Sequence, residues 1–123
     1  MVTFDTNCII YYLENDPSVI PVVEEFLHRE PRPLVATITE LELFSFSFLT
    51  PVETARIEEF IATCMVVLLD SPIARIGAQL RREYRLKTPD SIVAATALFT
   101  HSTLLTRNSK DSKKVSGLAL HKI

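Results

Sequence analysis

Four carboxylates stand close to where short apolar runs end: Asp5 after "MVTF", Glu42 within "TITELELF", Asp90 in "TPDSIVAATALF" and Asp111 after "LLTRNSK". Each has an ordinary structural reading to set beside a chemical one. Asp5 can cap a helix by accepting a backbone N–H, but Thr6 and Asn7 next to it can cap as well, so capping alone does not account for it. Thr37 and Glu40 form an S/T-x-x-E capping box, which leaves Glu42 without a structural task. Thr39 and Glu42 make the same box one register later, so both assignments stay open. A helix starting at Ile38 places Glu42 with Ile38, Leu41 and Ser45 on an apolar or small face, where a charge needs a partner. Asp90, behind Thr88 as N-cap and Pro89 as first helical residue, complements the helix dipole. Yet it lies above Val93, Ala94 and Ala97, at the mouth of a stretch that carries no charge from Ser91 to Thr100. Asp111 sits among lysines, where a solvated surface acid is the ordinary reading, and Asp70 in "LLDSP" reads as a turn or cap.

If Asp5, Glu42 and Asp90 converge, each pair of like charges at about 4 Å costs on the order of 4 kcal/mol at an effective dielectric of about 20. Such a cluster must hold a proton or a cation. Carboxylate oxygens without His or Cys among them favour Mg²⁺ or Mn²⁺ over zinc.

The elements that must position these acids follow from periodicity. Short β-rich runs ("MVTF", "PLVAT", "MVVLL", "STLLT", "LALHKI") alternate with longer segments of helical period ("NCIIYYLE", "TELELFSFSFL", "IARIGAQLRREY", "DSIVAATALFTH"). Alternation of this kind predicts an α/β fold with a mostly parallel sheet covered on both faces. Two further helices are expected, one in "DPSVIPVVEEFLHRE" opening on Asp16 or Ser18, and one in "TPVETARIEEFIATC" capped by Thr50 before Pro51. In an open parallel sheet ligands bind beyond the carboxyl ends of the strands, near the point where strand order reverses. Acids recur at those ends.

The 123 residues suit a single domain over 1–123, 47% hydrophobic and 23% charged, with no low-complexity tract or linker. Cys8 and Cys64 lie in apolar segments without metal-site spacing and read as reduced core thiols. The chain start lacks the pattern of a secretory signal, and no long uncharged apolar run occurs, so a cytoplasmic protein without membrane contact is expected. Residues 1–62 carry 3 basic and 11 acidic groups and residues 63–123 carry 10 and 4, which suits a polyanion docking on the second half while the first supplies metal ligands. With Gly77 and Gly117 as the only glycines, neither a dinucleotide fingerprint nor a phosphate-binding loop can be built. His28, His101 and His121 have no nucleophile motif beside them, which disfavours a hydrolase triad.

Taken together, "FDTN" at 4–7, "ATITELEL" at 36–43, "TPDSIVAATAL" at 88–98 and "LLTRNSKDS" at 104–112 resemble the PIN domain family, in particular its small VapC-type toxin ribonucleases. The resemblance covers essentially the whole chain. It implies a three-layer α/β/α sandwich with a five-stranded parallel sheet and a Mg²⁺- or Mn²⁺-dependent endoribonuclease. By matching position the metal ligands would be Asp5, Glu42 and Asp90, with the fourth acidic position near Asn108 or Asp111. Here the sequence departs from the family pattern: Asn108 is not acidic, and Ser112 stands where Phe often follows the "KD" pair. Thr6, Asn7, Thr106 and Asn108 match supporting positions.

RNA phosphates would be neutralised from the basic half, with Arg82, Arg85, Lys87 and Arg107 as the candidate contacts, and single-stranded or looped RNA is the expected substrate. The resemblance also implies a cognate antitoxin and a homodimer. Leu43, Phe44, Phe46 and Phe48, spread around a helix in "ELELFSFSFL", exceed what one core-facing side can bury and would leave an apolar patch for a partner. Two other readings remain: a catalytically degenerate PIN-like module that binds RNA or protein, supported by Asn108, and a receiver-like domain with Asp5 as phosphoacceptor. For the latter, Glu14 and Asp16 come too late in the chain to form the needed acid pair.

Overall fold

The structure is a computed structural model describing residues 1–123. Five strands, β1 (Val2–Phe4), β2 (Leu34–Ala36), β3 (Met65–Val67), β4 (Thr103–Thr106) and β5 (Leu120–Lys122), form one sheet in the order β3-β2-β1-β4-β5, and every neighbouring pair is parallel. The expected strands are all present. Strand order reverses between β1 and β4, so this is the switch point where a parallel sheet opens a crevice at its carboxyl edge.

Side chains alternate between the two faces of the sheet. On one face Val2, Phe4, Val35 and Leu105 pack with Cys8, Ile9, Val19, Val23, Leu43, Ile57 and Phe60. These last come from or flank α1 (Thr6–Leu13), α2 (Ile20–Leu27), α3 (Thr37–Phe44) and α4 (Pro51–Ala62). On the other face Ala36 and Leu104 meet Ile92, Val93 and Ala97 of α6 (Thr88–Thr100), and α5 (Ser71–Tyr84) covers α6 in turn. The result is the three-layer α/β/α sandwich expected. Helix α6 is buried without a break from Ser91 to Ala97, which explains its uncharged, small-residue sequence. No helix is long and apolar enough to cross a membrane. Cys8 and Cys64 are buried free thiols, as expected.

Helix starts divide into those that local signals specify and those that tertiary partners override. Thr50 and Glu53 form the full capping box of α4, and Asp70 caps α5 by accepting from Ile73 N. The box expected from Thr37 and Glu40 does not form: α3 leaves β2 directly with Ala36 as N-cap, and the Thr37 hydroxyl accepts instead from Leu69 N at 3.2 Å. Similarly α6 begins one residue earlier than expected, with Lys87 at the cap position and Thr88 already helical. Neither Asp16 nor Ser18 caps α2, whose N-cap is Val19. Asp16 instead closes a turn on Ser18. Helix α3 ends at Phe44, so Phe46 and Phe48 belong to the loop that follows and are not spread around a helix as expected.

Candidate active site

All four acids line one groove of about 330 Å³ at the carboxyl edge of the sheet. Its walls are Asp5, Thr6, Asn7, Glu42, Lys87, Pro89, Asp90, Val93, Leu104, Thr106, Asn108, Asp111 and Ser112. Asp5 ends β1 and is at once the N-cap of α1: its Oδ1 accepts from Cys8 N at 2.8 Å, and its own N–H donates to Leu105 O of β4 at 3.3 Å. Capping and pocket lining are therefore not alternatives for Asp5. One oxygen fixes the carboxylate, and the group still faces the groove.

Glu42 projects from the second turn of α3. Its Oε1 accepts a 2.6 Å hydrogen bond from the buried Thr6 hydroxyl, which also lies 3.1 Å from Thr39 Oγ1. Thr39 is fully buried and is the residue that sequence reasoning missed as a member of this site. Its spacing three before Glu42 drew a capping assignment, whereas the actual partner of both residues is Thr6, 36 positions from Glu42. Thr106, buried at the end of β4, donates to the backbone oxygen of Asn108 at 3.2 Å, which pins the loop leaving that strand. Asp111 opens a 3-10 turn (Ser112–Lys114) and pairs with Lys114 at 3.3 Å.

Asp90 occupies the first turn of α6. Its carboxyl is held above the usual aspartate range, first by loss of water in the groove and then by the negative charge of Glu42, with Asp111 and Asp5 adding to the rise and Lys87 opposing it. The three other acids are thus near enough to raise the energy of the ionised form, as like charges in a partly desolvated site must. The donor set consists of hard oxygens, which fits Mg²⁺ or Mn²⁺ by chemistry. As the side chains stand, no three acidic, His or Cys groups are spaced to hold an ion. Asp5 and Glu42 are tied by hydrogen bonds, whereas Asp90 and Asp111 are exposed, Asp111 beside Lys114.

Of the four cations expected to meet RNA, Lys87 lies in the groove wall. Arg82 and Arg85 are exposed at the end of α5, outside the groove lining. Arg107 is not part of the groove lining: it pairs with Asp16 Oδ2 at 2.8 Å, bonds Ser18 Oγ, and lies over the Tyr11 ring.

A family model, the PIN domain, matches residues 2–118. Ribonuclease VapC19 of Mycobacterium tuberculosis is 30% identical over 116 residues, which covers 88% of this chain and 89% of that protein. Among solved structures, a toxin-antitoxin complex from Klebsiella pneumoniae contains a chain with TM-score 0.82 and 27% identity, with 100% of both chains covered. DNA-bound VapBC from Salmonella typhimurium matches in fold with TM-score 0.85 at 24% identity, covering 98% of this chain and 96% of its own. With the sheet order, the acidic groove at the switch point and these similarities in agreement, the chain belongs to the PIN domain family and, within it, to the VapC-type proteins.

Proposed function

We propose that the protein is a divalent-metal-dependent endoribonuclease and the toxin half of a type II toxin-antitoxin pair. One observation carries this reading: acids from four separate segments line one groove at the switch point, and three of them raise the pKa of the fourth. Asp5, Glu42 and Asp90 would hold Mg²⁺ or Mn²⁺, with Asp111 at the edge of the set. When bound, the ion supplies an acidified water and neutralises charge growing on the scissile phosphate. Thr6 holds Glu42 in one orientation, so the carboxylate does not have to be ordered during the reaction. Lys87 offers a cation on the groove wall to an incoming phosphate, and Asn7 offers an amide at the rim. Arg82 and Arg85, exposed on α5, would extend the phosphate track as weaker, solvated contacts.

The antitoxin belongs to the same reading. An apolar groove of about 380 Å³ lies between α1, the loop after α3, and α4, lined by Ile10, Leu13, Phe46, Phe48 and Leu49 among others. Phe48 is 92% exposed and Phe46 50%, which favours a partner covering them. A homodimer, action in the cytoplasm and a single domain over the whole chain complete the proposal.

Cleavage of total cellular RNA by wild type, Asp5→Asn and Asp90→Asn, with and without EDTA, tests it. Wild type should cut with Mg²⁺ or Mn²⁺, and each variant should lose roughly 100-fold or more. Equal cutting by all three would assign the activity to a contaminant. The degenerate module is the second reading, favoured by Asn108 at the fourth position and by the absence of a ready-spaced acid trio. Metal retention and RNA binding with every strand left intact would establish it.

A further inference from the structure

Arg107 is the first residue after β4, between Thr106 and Asn108, both of which line the acidic groove. Its own side chain does not line that groove. It donates to Asp16 Oδ2 at 2.8 Å and to Ser18 Oγ, and its guanidinium carbon lies 4.6 Å from the centre of the Tyr11 ring. Asp16 is set to receive it: Oδ1 accepts from Ser18 N at 2.9 Å and Ser18 Oγ at 2.7 Å, leaving Oδ2 for the guanidinium. The pair spans 91 positions and is partly shielded, with the two side chains 32% and 25% exposed. An arginine that combines a charge-assisted bond with stacking on an aromatic ring is oriented by its planar shape, which a lysine cannot imitate.

Both ends of this clamp belong to segments that carry site acids. Tyr11 lies on α1, the helix headed by Asp5, and Asp16 lies in the turn that follows it. Arg107 begins the loop that carries Asn108 and Asp111. Within that loop the ties are short-range: Thr106 Oγ1 to Asn108 O, Lys110 N to Asn108 Oδ1, and Lys113 N to Ser109 O. These shape the loop. The end of β4 is tied to the start of α1 at Leu105 O, which accepts from Asp5 N and Cys8 Sγ, and the Arg107 side chain adds a second attachment farther along, to Tyr11 and the turn after α1. Resting on the nuclease reading above, we propose that Arg107 is a positioning residue rather than an RNA contact: it locks the exit of β4 onto the α1–α2 turn and so fixes Asn108 and Asp111 opposite Asp5. Hydrogen bonds from Arg107 first and then Ser18 also hold the Asp16 carboxyl well below the usual aspartate range, so the clamp stays charged at working pH.

The decisive variant is Asp16→Asn, because Asp16 does not line the groove. It is compared with Arg107→Gln, Arg107→Lys and the exchange Asp16→Arg with Arg107→Asp. The clamp predicts that Asp16→Asn and Arg107→Gln lower kcat alike, by about tenfold to a hundredfold, while KM and the salt dependence of RNA binding stay unchanged. Arg107→Lys recovers part of the loss, and the exchange recovers more than either single reversal. Hydrogen exchange of amides 107–114 accelerates selectively in Asp16→Asn, with β1 and β2 unaffected. That last measurement needs no cleavage, so it supports or rejects the clamp even if wild type proves not to cut RNA. A phosphate contact would look different: Arg107→Gln would raise KM and reduce the salt slope by about one unit while Asp16→Asn did nothing. That result, or exchange that accelerates evenly through the whole sheet, overturns the proposal.

Discussion

At the scale of single residues the site is a compromise between charge and fold. Asp90 is the clearest case, since its carboxyl loses water and faces three other acids. The folded, metal-free state keeps the Asp90 proton to higher pH than the unfolded chain does. Across the window just above the ordinary aspartate range the fold therefore binds more protons, and stability declines as pH rises through it. Asp90→Asn removes that penalty. In EDTA the variant should melt at a higher temperature than wild type at neutral pH, with the gap narrowing as pH falls, even though cleavage is lost. A lower melting temperature at neutral pH would show that Asp90 contributes a stabilising interaction instead. Legibility in the sequence was uneven at this scale. Asp5 stands out at a strand end beside two other possible caps and Asp90 at the mouth of an uncharged helix, whereas Asp111 among lysines reads as a surface acid and Thr39 does not stand out, because a threonine three before a glutamate looks like local capping. Arg107 shows a related limit: a surface arginine near a site reads as a phosphate contact, and its partner Asp16, 91 positions away, has no local signature.

At the scale of elements, α5 packs closely on α6, the helix that carries Asp90 in its first turn. Gly77 of α5 faces Ser91 and Ala95 of α6. A Cβ built there would lie 3.6 Å from Ser91 O, 3.7 Å from Ser91 Oγ and 3.8 Å from the Ala95 methyl, all ordinary contact distances. Gly77→Ala is therefore expected to stabilise the protein by about 0.5–1 kcal/mol in denaturant unfolding, because alanine restricts the unfolded chain and suits a helix interior. Gly77→Leu should cost about 1–3 kcal/mol by forcing the helices apart. A destabilised alanine variant would mean that the two helices are nearer than described. The helix starts show what limits a reading by elements. Thr50 and Glu53 met no competitor and formed their box, while Thr37 at the end of β2 found Leu69 N and gave its hydroxyl to that contact.

At the scale of the whole molecule, charge and apolar surface are both distributed unevenly. The acidic first half supplies Asp5 and Glu42, and the basic second half brings Lys87 beside Asp90 and surrounds Asp111 with lysines. The apolar surface is concentrated around the loop after α3, where Phe46 and Phe48 stand exposed above the groove between α1 and α4. Without a partner the wild-type chain should self-associate in sedimentation or light-scattering measurements, and Phe46→Ser with Phe48→Ser should shift it toward monomer. A monodisperse wild-type monomer would argue against this surface as an interface.

The amino-acid sequence alone determined the fold class and where the strands lie along the chain, and it singled out candidate acids, because hydrophobic period and strand-end position are local properties of the chain. Tertiary structure alone decided which groups touch across it: Thr6 with Glu42, Thr37 with Leu69, Arg107 with Asp16. Those pairs lie 36, 32 and 91 positions apart, and a hydrogen bond at such separation depends on how the layers stack, which no local pattern encodes.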